Sequence, residues 1–360
     1  MVSEAPRSVL VVVTRRIGDV FLTGALIRSL RVAWPATRID VLAFRGTEGI
    51  LEINPDVSAI IAISEKMSVR ENVALVARLW RTYDLALSTS PSDRPTLYAW
   101  AAGTRSVGVI ADGAKSVWKK RLLSATVPFD DLTTHTVAQY LRLADALGIA
   151  GAYQPAVAWS VADDAHIARL FPEYASNRYA VLHPYPKFRY KMWSDEAWGE
   201  LADWLARNGL IVVYSGGTDV AEMAYVSALV AQRRAINLAG KLSFGQLAAL
   251  LKRALVYVGP DTVATHLAAA IGTPTVALFG PSNPVKWGPW PSDWQDSKSP
   301  YQSRGTQIRG NVALVQGEGH CVPCLLEGCA RAEDSESACL QMLRVNSVTT
   351  AIETLWRHRA

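Results

Sequence analysis

Asp261 and His266 stand five residues apart in VGPDTVATHLAAAIGTPTVALFGPS (Val258–Ser282), an otherwise apolar stretch. An acid and an imidazole at the edge of such a run either cap and pack, or line the site of a polar ligand. VYVG reads as the end of a strand, PDT as a turn and VATHLAAA as the start of a helix, which puts Asp261 at the N-cap. The backbone N–H groups of Thr262, Val263 and Ala264 then point outward unpaired, a ready anion site. A capping aspartate is common, and a lone His on a small-residue face is more often packed than catalytic. The next loop, FGPSNPVKWGPW, adds Ser282, Asn283 and Lys286 among apolar rings.

Three further stretches carry chemistry-bearing residues. In RRIGDV, Asp19 sits beside Gly18 in the loop after the first strand, where it caps the next helix or serves as a general base. Arg15 and Arg16 there either bind phosphate or are solvated. In HPYPKFRYKMWSDEAW a strand ends at His183, and the loop carries Lys187, Arg189 and Lys191 before a helix capped by Ser194. Three cations at the carboxyl end of a strand suit a diphosphate; a solvated loop is the plain alternative. In YSGGTDVAEM the Gly216–Gly217 turn opens a helix with Asp219 and Glu222 close behind, and a carboxylate there can accept ribose hydroxyls.

All four cysteines fall in one window, Cys321, Cys324, Cys329 and Cys339, spaced C-x2-C-x4-C-x9-C. Four thiolates can close a tetrahedral structural zinc or iron site, with no position left open for chemistry. Buried free thiols or a redox-labile pair are the alternative. G-x-G-x-x-G is missing after the first strand, and so are the P-loop, H-E-x-x-H and G-x-S-x-G patterns.

These residues need elements to aim them, and the chain supplies two alternating strand–helix arrays. In the first, SVLVVVT, RIDVLAF, Ala59–Ile63, Asp84–Ser88 and Ser106–Ile110 read as strands. Helices are expected at Val20–Trp34, Val69–Arg81, Arg94–Ala102 and Thr133–Leu147, the last stopped by Gly148. The stretch 111–131 reads as a basic loop. Gly151–Ser160 reads as a linker, after which the pattern restarts. Tyr179–Pro184, Gly209–Gly217, AINLAG, ALVYVGP and TPTVALFGP are strands; helices follow Ser194, Asp219, Ser243 (with Gln246 as a capping box) and Thr262, and a last helix spans Val348–Arg359. The expected architecture is α/β: a domain over 1–155, a second over 156–345 and a C-terminal helix over 346–360. Doubly wound sheets bind ligands at the carboxyl ends of their strands, where all these motifs fall, so two such domains would face each other across a cleft.

The totals agree. A chain of 360 residues, half of them hydrophobic, can bury two cores, and 19% charged residues are too few for a disordered chain. The formal net charge of +5 suits an anionic partner or plain solubility. Cations scattered among anion loops argue against nucleic acid. No run approaches the roughly 18 apolar residues of a spanning helix, and the first residues do not read as a signal peptide, so a cytoplasmic protein is expected. Lys115–Leu123 (KSVWKKRLL) mixes cations with Trp118 and leucines, and reads as an exposed loop or as a contact with an anionic membrane surface.

IGDVFLTGALIRSLRVAWPATRIDVL, YKMWSDEAWGELADWL, YSGGTDVAEM, NLAGKLSFGQLAALLKRALVYVGPDTVATHLAAAIGTPTVALFGPSNPVKWGPW and the late cysteines together resemble the ADP-heptose:lipopolysaccharide heptosyltransferases, glycosyltransferase family 9. The resemblance runs through both halves in order. It implies a GT-B fold of two Rossmann-like domains, the acceptor mainly on the first and ADP-heptose mainly on the second, and a metal-independent inverting transfer to a lipopolysaccharide core at the cytoplasmic face of the inner membrane. It implies that Asp19 is the base and that Lys191 neutralises phosphate. Asp261, Thr262 and His266 would line the donor site, Leu242 would meet adenine through its backbone, and Glu222, or Asp219 if the alignment slips, would hold the ribose. Many relatives carry glycine where this chain has Val263, which narrows the approach of phosphate. A branch of the family that glycosylates proteins carries a four-cysteine iron site, which bears on Cys321–Cys339.

Overall fold

Runs such as SVLVVV and TVALF, short and rich in β-branched residues, form strands covered on both faces, as parallel sheets require. The structure is a computed structural model that describes residues 4–176, 178–231 and 233–359; the side chains of Lys115, Ser176 and Arg359 also lie outside the described set. The chain divides into two units, Met1–Ala158 with Gln295–Lys298, and Trp159–Trp294 with Ser299–Ala360. The division falls three residues beyond the expected boundary, and the C-terminal helix Val345–Arg359 belongs to the second unit.

The first unit holds six parallel strands, β1 (Ser8–Val13), β2 (Arg38–Phe44), β3 (Ala59–Ile63), β4 (Tyr83–Ser88), β5 (Gly103–Ile110) and β6 (Ala125–Pro128), ordered β3-β2-β1-β4-β5-β6. The second holds β7 (Tyr179–Leu182), β8 (Ile211–Tyr214), β9 (Ile236–Asn237), β10 (Val256–Pro260), β11 (Thr275–Phe279), β12 (Gln307–Arg309) and β13 (Val312–Gln316), ordered β12-β13-β11-β10-β7-β8-β9. With the antiparallel edge strand β12 set aside, the second order repeats the first. In both, chain direction across the sheet reverses between two central strands, β1 and β4 or β7 and β10. Such a switch point opens a crevice at the strands' carboxyl ends.

Several details differ from the expectation. The stretch 111–131 is not all loop: Val117–Leu122 is a helix and Ala125–Pro128 is the sixth strand, paired to β5. The expected helix Val20–Trp34 begins earlier, at Ile17, and is broken at Thr23 into Ile17–Leu22 and Gly24–Ala33. There the Thr23 hydroxyl donates to the Val20 carbonyl at 2.5 Å, competing with the helix's own ladder. Beyond the linker, Ser160 and Asp163 form an unforeseen capping box that starts the helix Val161–Leu170. The expected stop holds at Gly148, whose φ of 74° suits a residue without a side chain.

Candidate active site

In the second unit β7 and β10 pair side by side, so the loops that follow them emerge together. His183 follows β7 directly and its N–H donates to the Val258 carbonyl of β10 at 3.0 Å. The loop after β7 ends in the short turn Arg189–Lys191, and the loop after β10 is Asp261–Thr262. Lys191 Nζ therefore reaches Asp261 Oδ2 at 2.5 Å, and His266 Nε2 lies 3.7 Å from Asp261 Oδ1. Burial alone would raise the Asp261 carboxyl, but the Lys191 ammonium, followed by His266, holds it well below the usual carboxylate range.

Asp261 was expected at the N-cap; the structure puts Thr262 there, with no side-chain cap bond, and Asp261 one residue earlier. The reason is electrostatic: the carboxylate turns to the ammonium and the imidazole in place of the helix amides. Those of Val263, Ala264 and Thr265 have no acceptor within the helix Val263–Ala270, so a lysine and a turn of free N–H groups share one strand-to-helix junction. Val263 is only half-buried. His266 is 5% exposed and its Nδ1 has no hydrogen-bond partner, a buried donor or acceptor that a ligand atom could satisfy.

The other predicted donor residues line the neighbouring strand ends or leave them. His183 Nδ1 lies 3.1 Å from the hydroxyl of Ser215, which directly follows β8, and burial pushes its imidazole down to about 4, so it is neutral at neutral pH. Glu222 folds back to accept the Gly217 N–H at 2.6 Å, while Asp219 accepts from Ala221 and Glu222 as the helix cap. That separates the two: Asp219 caps, and Glu222 faces the turn. A Cβ on Gly216 or Gly217 would come within 2.9 Å of the Glu222 carboxylate, so a side chain there would push Glu222 from its place against the turn. Burial raises the Glu222 carboxyl, against the pull of the Gly217 N–H. Leu242 is half-buried, two residues after Gly240. Lys187 is exposed. Arg189 turns away to Glu336, with Nη2 2.6 Å from Oε1, so of the three loop cations only Lys191 joins Asp261.

In the first unit Asp19 was expected in a loop, either capping or acting as a base. It is instead the third residue of the helix Ile17–Leu22, whose N-cap is Arg16, so it is no cap. It is 5% exposed at the carboxyl end of β1, beside β4. Arg15 Nε lies 3.2 Å from its Oδ2, and the buried Tyr140 hydroxyl donates to its Oδ1 at 3.4 Å. Burial and the Asp19 carboxylate push the Tyr140 phenol well above its ordinary value, so it stays protonated as a donor.

Comparison with known proteins decides the family. Residues 73–311 match the model of glycosyltransferase family 9 (heptosyltransferase). This chain belongs to glycosyltransferase family 9. Lipopolysaccharide heptosyltransferase 3 of Escherichia coli K12 is 28% identical over 76% of this chain and 82% of that protein. The family 9 glycosyl transferase of Veillonella parvula shares the fold at a TM-score of 0.76, with 18% identity over 98% of this chain and 97% of that one. The ADP-heptose lps heptosyltransferase II of E. coli shares it at 0.72, with 20% identity over 98% and 99%. The chain is thus a glycosyltransferase of GT-B fold, as its motifs implied.

In this family 9 enzyme the cysteines form a separate group. Cys321 and Cys329 are exposed, Cys324 half-buried and Cys339 buried; all are free thiols. Burial, then the neighbouring Cys324, pushes the Cys339 thiol up to about 11. The donor chemistry suits zinc or iron, but among the described residues no three His, Cys, Asp or Glu side chains converge as metal ligands do, so the thiols do not form a ready ligand set. Three pairings escaped sequence reading, although Arg15 itself is read there as a phosphate-binding or solvated cation. Tyr140 lies 121 residues from Asp19, Ser215 faces His183 across the sheet, and Arg15 pairs with Asp19. Only Arg15 left a local signal, a cation four residues before an acid.

Proposed function

We propose that this enzyme transfers a heptose from ADP-heptose to a lipopolysaccharide core acceptor, with inversion at the anomeric carbon. The observation that carries the proposal is the Lys191–Asp261–His266 cluster at the N-terminus of the helix Val263–Ala270. It offers one ammonium, free amides and an orphan imidazole nitrogen, which is what a departing nucleoside diphosphate needs. The names of its relatives, a lipopolysaccharide heptosyltransferase and an ADP-heptose enzyme, support heptose and ADP.

The acceptor hydroxyl loses its proton to Asp19 as its oxygen bonds to the anomeric carbon. The bond from that carbon to the diphosphate oxygen breaks, and ADP departs with the electron pair. Lys191 and the amides of Val263–Thr265 take up the charge on the β-phosphate. Asp261 holds Lys191 in place, Glu222 takes the ribose, and the Leu242 backbone takes the adenine. No metal is needed for this step, because the lysine and the amides supply the positive charge.

A structural zinc or iron ion at Cys321, Cys324, Cys329 and Cys339 is a separate proposal, and requires the thiols to turn toward one point; metal analysis of the purified chain tests it. Work at the cytoplasmic face of the inner membrane is proposed with the acceptor. No described helix is long and apolar enough to cross a membrane, and the helix Val117–Leu122 exposes Val117, Lys120 and Arg121 for a surface contact. Calorimetric titration with ADP, GDP and UDP tests the donor. Selective ADP binding, lost in Asp261→Ala, supports the reading; preference for GDP or UDP overturns the heptose assignment.

A further inference from the structure

The cysteine-bearing segment plays no part in the reaction above, yet it grips the loop that carries Lys191. The Arg189 N–H donates to the Glu333 carbonyl at 3.2 Å, and the Arg189 guanidinium pairs with Glu336. The Ser337 hydroxyl donates to the Tyr190 carbonyl at 2.7 Å, with both residues buried. The Gln341 side-chain amide donates to the Met192 carbonyl at 3.2 Å, and the Trp193 indole N–H donates to the Leu343 carbonyl at 2.8 Å. Residues on both sides of Lys191 are therefore held by 333–343, while the Lys191 side chain is free to go to Asp261.

The gripping segment is itself braced. The Cys329 N–H donates to the Glu336 carbonyl at 2.9 Å, and the Ala338 N–H to the Cys329 sulfur at 3.4 Å. On its other side, Gly280 lets it come close: a Cβ there would lie 2.7 Å from Leu340 and 3.1 Å from the Cys339 sulfur. The segment thus spans from the end of β11 to the loop after β7, with its cysteines at the braces.

We propose that residues 329–341 are a positioning clamp for Lys191, in which Ser337 and Gln341 hold the flanking carbonyls and so set where the ammonium meets the donor diphosphate. This rests on the donor reading above. Hydrogen bonds of this kind contribute enough that losing one at a positioned cation should weaken binding about threefold to tenfold.

The test is calorimetric titration of the full chain with ADP, for Ser337→Ala and Gln341→Ala, each alone and combined with Lys191→Ala. The clamp predicts ADP affinity about threefold to tenfold lower for Ser337→Ala and about twofold to threefold lower for Gln341→Ala, with Ser337→Thr restoring it. In the Lys191→Ala background both effects should vanish, because the clamp acts through that lysine. Unchanged affinity, or an equal loss with and without Lys191, overturns the proposal. If Ser337→Ala does not fold, Gln341→Ala and the exposed Glu336→Gln carry the same test. Amide hydrogen exchange separates this from the donor reading: faster exchange confined to 189–193 and 337–341 in Gln341→Ala supports the clamp without any nucleotide, and unchanged exchange there overturns it. A wild-type chain that ignores ADP sinks the donor reading, and the exchange result then decides the clamp alone.

Discussion

Asp19 in the first unit and Asp261 in the second are both nearly buried carboxylates at the carboxyl end of a central strand, and each faces one cation. Their surroundings differ in strength. Lys191 stands 2.5 Å from Asp261 and His266 faces the other oxygen, whereas Arg15 stands 3.2 Å from Asp19 and Tyr140 3.4 Å from it. The Lys191 side chain is 17% exposed and that of Arg15 33%. A carboxylate offers about four lone-pair sites. Asp261 commits its own to a tight pair and works as an anchor for a lysine. Asp19 is held by longer contacts, to Arg15 and to Tyr140. On the proposed mechanism, the same residue at the same kind of place would orient a lysine in one sheet and act as the base in the other.

Replacing each acid breaks or upholds that distinction most sharply. Asp19→Asn should lower kcat by about 10²–10⁴ and leave ADP affinity unchanged, as removal of a positioned base does. Asp261→Asn should lower ADP affinity by misplacing Lys191. Steady-state kinetics beside calorimetry checks both; near-normal turnover in Asp19→Asn would remove the contrast altogether. Next in size is removal of the cations. Lys191→Ala leaves a buried carboxylate with its main partner gone, so the stability of the fold should fall by about 3 kcal/mol. Arg15 is one-third exposed, so Arg15→Ala should cost about 1 kcal/mol or less. Denaturant midpoints that reverse this order would mean that Asp19 is the more tightly held acid.

The sequence shows the frame more fully than the site. Strand positions, the Gly148 stop and the Ser243 capping box follow from local pattern and local hydrogen bonds, and they appear where expected. Partners brought together by sheet pairing are not legible in this way. Lys191 meets Asp261 only because β7 and β10, far apart in the chain, are neighbours in the sheet. Tyr140 reaches Asp19 from a helix whose packing no spacing rule announces. Asp261 misled because its type and place fit a cap, and only the lysine 70 residues earlier explains why it is none. The strand Ala125–Pro128 stayed hidden because it is short, carries Pro128 and sits at the sheet's edge.

The second unit should also be sensitive to acid. His183, at the second sheet's switch point, has its pKa pushed from 6.5 down to about 4 by burial. Its neutral form therefore stabilises the fold fully above about pH 6.5, and that stability is lost as pH falls toward 4, because the unfolded chain binds the proton first. The shift corresponds to about 3 kcal/mol across that window. His183→Gln should flatten the decline in denaturant midpoint between pH 6.5 and 4; an unchanged slope would place the acid sensitivity elsewhere.

The smallest expected effect tests what holds Asp19, the proposed base. Tyr140 is buried and protonated, and its hydroxyl reaches Asp19 Oδ1 at 3.4 Å, a long bond that can orient a carboxylate without neutralising it. Tyr140→Phe keeps the ring and its packing and removes only the hydroxyl. The carboxylate then keeps Arg15 on one oxygen and can swing about that contact, so the fraction of time it faces the acceptor proton should fall. A geometric loss of this kind lowers kcat and leaves binding alone. The expected result is kcat lower by about threefold to tenfold, with ADP affinity and acceptor KM unchanged. An effect on ADP affinity would tie Tyr140 to the second unit's chemistry, and no effect on kcat would leave Arg15 as the single group that orients the base.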